Sequence, residues 1–154
     1  MGLFSKKPPA ALNPIIANAM IGDTREDIKH VARVQETILA QLHGGEALKV
    51  VIPCAQTSAV AAVTTQKLIY CGLLSSGIDW ILPAQQLTEP EVRTARYSGG
   101  GYNMRFFVIV GFTGGPLRVP DSKHYWDAGL DIVRFELEEA QVLEQALIAL
   151  AESA

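Results

Sequence analysis

The chain has 154 residues, 49% of them apolar and 19% charged, with a formal net charge of -3. This is the profile of one globular domain that buries its own core without help from disulfides or metal. It excludes a disulfide scaffold and any bulk-charge attraction to nucleic acid, leaving only a local basic patch for that purpose.

The two cysteines, Cys54 and Cys71, do not make a CxxC pair. Both lie in apolar stretches and read as buried thiols of a reducing compartment. No run of the length needed for a membrane span is free of polar residues, since the longest candidate, 57–74, carries Gln66 and Lys67. Residues 1–12, with Lys6, Lys7, Pro8 and Pro9 but no hydrophobic signal region, read as a basic flexible tail. The expectation is a single α/β domain over residues 13–154 in a soluble, cytoplasmic protein.

In chain order, Asn13-Pro14 pairs a capping residue with a first-turn proline and predicts a short helix to Met20, broken at Gly22. Asp23-Thr24 offers a capping residue, with Glu26 and Asp27 three positions on, a capping-box pattern. Ile28, Val31, Ile38, Leu39 and Leu42 then make one helical stripe that runs to Gly44-Gly45. Leu48 to Ile52 predicts a strand closed by Pro53. The alanines of the 57–73 segment favour a helix there. Ile78 to Leu82 predicts a second strand, and Glu89-Pro90-Glu91 opens a polar stretch of one or two helical turns. After Gly99-Gly100-Gly101, Met104 to Val110 predicts a central strand buried on both faces. A helix over 123–128, a strand over 132–135 and a final helix opened by Glu138-Glu139 complete the chain. The final helix has a buried stripe of Leu143, Ala146, Leu147 and Leu150.

With the 57–73 segment set aside as an insertion, the order becomes helix, strand, strand, strand, helix, strand, closing helix. The last strand follows its predecessor through a helix, which predicts a parallel pair with a right-handed crossover. The fold class expected is a three-layer α/β/α sandwich with a mixed four-stranded central sheet.

Three local patterns resemble the restriction-endonuclease-like, or PD-(D/E)XK, nucleases, including small families related to very-short-patch-repair endonucleases. They are Ile78-Asp79-Trp80-Ile81, the 106–115 stretch with its glycine turn, and Asp121-Ser122-Lys123 followed by 128–135 with its Arg134-Phe135 ending. The resemblance implies the order α-β-β-β-α-β and a first metal-binding carboxylate at Asp79. It also implies a second carboxylate on the next strand and a lysine two residues after it, and Met104 to Phe112 carries neither. A divalent cation requires several converging anionic oxygens, so the expectation is a relative without catalytic residues, metal or cofactor. The alternative is an active, magnesium- or manganese-dependent nuclease with a displaced site at Asp79, Asp121 and Lys123, to which Glu36 could contribute.

Other candidates are weaker in chemistry. Cys54 stands at a strand end with no histidine placed to serve as its base. His30 lies on the polar side of its helix, and His43 sits near that helix's end, where the dipole favours it. Lys123-His124-Tyr125-Trp126-Asp127 combines cations with stacking rings. Arg93, Arg96 and Arg105 flank the triple glycine, with Arg118 on the next loop, and with Lys123 and His124 they form the expected anion- or nucleic-acid-binding set. The function expected is an accessory or interaction protein, in DNA transactions or a multiprotein assembly, with a protein partner, no membrane and a possible homo-oligomer. A protein- or small-molecule-binding module unrelated to nucleic acid is the remaining reading.

Overall fold

A computed structural model of the chain describes residues 12–22, 24–53, 58–73, 75–96, 104–112, 117–118, 125–126, 130–135 and 137–154. Helices α1 (Pro14–Ala19) and α2 (Arg25–Ala40) lead into a four-stranded sheet: β1 (Leu48–Pro53), β2 (Val60–Thr64), β3 (Lys67–Cys71) and β4 (Ile78–Pro83). A short 3-10 turn, Ala84–Gln86, leads to β5 (Leu87–Arg96), β6 (Met104–Phe112), β7 (Leu117–Arg118), β8 (Tyr125–Trp126), β9 (Leu130–Phe135) and α3 (Leu137–Glu152). The first sheet has the order β1-β2-β3-β4, the second β5-β6-β9, and β7 pairs with β8 alone.

Both helix starts follow their sequence signals. Asn13 accepts the N–H of Ile15 with Pro14 at the first position, and Thr24 and Asp27 close a capping box. The backbone N–H of Asn13 donates to Gln35 Oε1 at 2.8 Å, which ties α1 to α2. Helix α2 stops at Ala40, before His43 and the Gly44-Gly45 pair that the apolar stripe had suggested as its limit.

The first sheet is buried on both faces, and its residues divide by alternation. Val51, Val60, Ala62, Ile69 and Cys71 pack with Ile16, Val31, Val34 and Ile38 of α1 and α2. Ile52, Ala61, Val63, Leu68, Tyr70, Trp80 and Leu82 pack with Leu143, Leu147 and Leu150 of α3. Tyr70 and Trp80, paired across β3 and β4, stack with ring centroids 4.9 Å apart. Helix α3 also touches β5, β6 and β9, so one helix packs against strands of both sheets.

Four expectations are corrected. The 57–73 segment is a hairpin, β2 and β3, not a helix. Two-sided burial gives Val60, Val63 and Ile69 their packing, while Ala61 and Ala62 let helices approach both faces, so tertiary context outweighs alanine's helix propensity. The turn is closed by Thr64, whose hydroxyl accepts the N–H groups of Gln66 and Lys67 at 3.0 Å each. Second, the polar stretch at 89–91 belongs to β5. Third, Tyr125 and Trp126 form a strand, not part of a helix. Fourth, the sheets are antiparallel, not mixed: β6 and β9, expected to be parallel, pair antiparallel, and the residues described between them, β7 and β8, form an antiparallel pair of their own. The strands expected at 48–52 and 78–82 lie in one sheet, and those at 104–110 and 132–135 in another.

No helix among the described residues is long and apolar enough to cross a membrane.

Candidate functional site

Asp79, the residue the nuclease resemblance assigns to metal, is 2% exposed in β4. Its Oδ2 accepts the backbone N–H of Leu73 at 2.8 Å, so the carboxylate holds the β3–β4 loop. Helix α2 holds the same loop from its other side. Arg33 donates to the carbonyl of Gly72, which Ser58 Oγ also reaches at 2.7 Å, and Thr37 Oγ1 donates to Ser76 O at 2.9 Å. Glu36 stands exposed on α2. Asp121, Lys123 and His124, like Cys54, lie outside the described residues. Among the described residues no group of three His, Cys, Asp or Glu side chains could hold a metal ion.

Cys71 is fully buried, with Sγ 3.6 Å from the Val60 carbonyl. Desolvation, reinforced by the charge of Asp79, pushes its thiol up to about 12. That removes it from nucleophilic chemistry at neutral pH. His30 lies 3.8 Å from Glu26, one helical turn away.

A second buried polar cluster surrounds the β2–β3 turn. Lys67 Nζ donates to Glu46 Oε1 at 2.9 Å, the two side chains being 10% and 0% exposed, and also to the Gln41 carbonyl. Thr64 donates its hydroxyl to the other Glu46 oxygen, and His43 N–H reaches Oε1 at 3.0 Å. Burial works to raise the Glu46 pKa. The hydrogen bonds from Thr64, the His43 backbone and Lys67, with the Lys67 charge, outweigh it and hold the carboxyl below its ordinary value. These bonds fasten the end of α2 to the first sheet.

The arginines are distributed by strand register. Across β5, β6 and β9, Arg93 stands opposite Phe107 and Phe107 opposite Arg134. Arg105, two residues from Phe107 and opposite Ala95, shares that face. So do Glu91, Ile109 and Asp131, one row further along. The face is therefore basic toward the Arg105 end and acidic toward the other. Arg96, opposite Met104, falls on the reverse face with Val92, Thr94, Phe106 and Phe135. Arg118 lies in the separate β7–β8 pair, opposite Tyr125. Of the four arginines expected to act together, the fold unites Arg93 and Arg105 and adds Arg134. Once 87–96 is read as a strand, its period-two alternation separates Arg93 from Arg96. The signal for Arg134 was its place in a strand that pairs with β6.

Comparison with protein-family models, with curated proteins and with solved structures found no match in any of the three.

Proposed function

We propose that the chain is a non-catalytic interaction domain that uses the Arg93, Arg105 and Arg134 face of its second sheet to bind the phosphate backbone of nucleic acid, as an accessory in DNA transactions. The observation that carries this reading is the row Arg93, Phe107, Arg134, which sets two guanidinium-bearing residues on either side of an aromatic one. Arginine forks match phosphate oxygens, and an aromatic between them offers a stacking surface for a base. The reading needs no metal and does not depend on the nuclease layout. It is favoured over cleavage by the structural use of Asp79.

The test is fluorescence anisotropy of labelled single- and double-stranded oligonucleotides over a salt series. Three phosphate contacts give a logarithmic salt slope of about -2 to -3. Absence of binding at low salt would refute the proposal and leave a protein- or small-molecule-binding module.

A further inference from the structure

The final helix is apolar over a wider arc than its core contacts need. Leu143, Leu147 and Leu150 are buried against the first sheet. Beside them runs a second stripe, Val142, Ala146, Ala149 and Ser153, at steps of four, three and four residues. This stripe forms one wall of a cleft of about 520 Å³, whose other wall includes Lys49 and Val50 of β1. The volume lies in the range of roughly 300–1,000 Å³ typical of small-molecule sites. Two of the stripe's residues are alanines, so the space exists because α3 carries short side chains where larger ones would close the gap to Val50.

Among the described residues the charge at the cleft has one sign. Lys49 is exposed, and among the described residues it has no ion-pair partner and the cleft lining contains no carboxylate. Glu46, the nearest acid in sequence, is fully shielded and already held by Thr64 and Lys67. Val142 remains 36% exposed at the cleft.

We propose that this cleft, independent of the arginine face, binds an amphipathic small molecule. Its aliphatic body would lie along Val142, Ala146 and Ala149, and its carboxylate head would meet Lys49. An apolar trough with a single cation at its edge discriminates by head-group charge as well as by tail length.

Decanoate and decanol serve as probes in an amide chemical-shift titration of the full chain. Decanoate is expected to produce saturable shifts centred on Lys49, Val142, Ala146 and Ala149, with affinity about three- to tenfold above that of decanol. Lys49→Gln should erase that difference, and Ala146→Phe should weaken both ligands at least tenfold by filling the trough. Val142→Trp, a change at an exposed position, provides the same blockade if Ala146→Phe does not fold. The proposal is overturned if no shifts occur up to the solubility limit, if they centre on another surface, if decanol binds as well as decanoate, or if a folded blocking variant binds unchanged.

Discussion

Arg93 and Arg134 belong to strands that do not pair with each other, yet both stand opposite Phe107. They are therefore neighbours of one residue, while Arg96, three positions from Arg93, is assigned to the other face. Arg93→Ala and Arg134→Ala should each weaken oligonucleotide binding similarly across sequences and reduce the salt slope by about one. Arg96→Ala should leave both quantities unchanged. Equal losses in all three variants would show that diffuse charge, not the row, governs binding.

Asp79 gives a separate test of the metal question. In Asp79→Ala the half-buried N–H of the exposed Leu73 loses its acceptor, which should cost about 1 kcal/mol in urea unfolding. Magnesium and manganese should not shift the melting temperature of the wild-type protein. A metal-dependent DNA cleavage that Asp79→Ala removes would instead establish the displaced-site nuclease.

The Glu46 cluster sets an acid limit to stability. The folded chain binds the Glu46 proton less readily than the unfolded chain does. The carboxylate therefore contributes stability at neutral pH, and this contribution fades as pH falls from about 4.5 through the lower folded-state value. Unfolding free energy measured from pH 7 to 3 should decline less steeply in Glu46→Gln. Lys67→Met leaves the carboxylate without its cation and should destabilise by about 1–3 kcal/mol at pH 7.

Two glycines with similar backbone angles should respond differently to alanine. Gly45 has φ +82° with nothing within 4 Å of an added Cβ, and Gly72 has φ +84° with Ser58 O only 2.8 Å away. Gly45→Ala bears the left-handed penalty alone, about 1 kcal/mol. Gly72→Ala adds a backbone clash and should cost at least twice that in thermal or urea unfolding. Equal costs would mean that the 58–72 approach relaxes freely.

Cys71 should resist iodoacetamide at pH 8 in the native protein and react fully in denaturant, as followed by peptide mass spectrometry. The burial that raises its pKa also blocks access. Rapid native-state labelling of Cys71 would contradict its place between the first sheet and the helices.

What the sequence disclosed was local. The caps at Asn13 and Thr24, the β-branched run at 48–52 and the buried leucines of α3 are determined by neighbours three or four positions away, and all are found. The 60–71 hairpin escaped because a strand buried on both faces shows no polar alternation, and its alanines imitate a helix. Strand direction in β9 depended on whether 123–128 was helical, a segment with little periodicity to read. The arginine row follows from cross-strand register, which no linear spacing encodes. The cleft was half-legible: Val142, Ala146 and Ala149 recur at helical steps, but only the fold shows that they face Lys49 and Val50 across a gap.

The outer margin of β1 is not left bare. Ile21 donates its backbone N–H to the carbonyl of Val51 at 2.9 Å, and Met20 forms a parallel bridge to the same residue. An unprotected β margin is a template on which a second chain can add a strand. The segment leaving α1 occupies this one at its midpoint, so runaway stacking through β1 would first require peeling that segment away. Loosening the first helix should therefore threaten colloidal behaviour as well as the packing around Ile16.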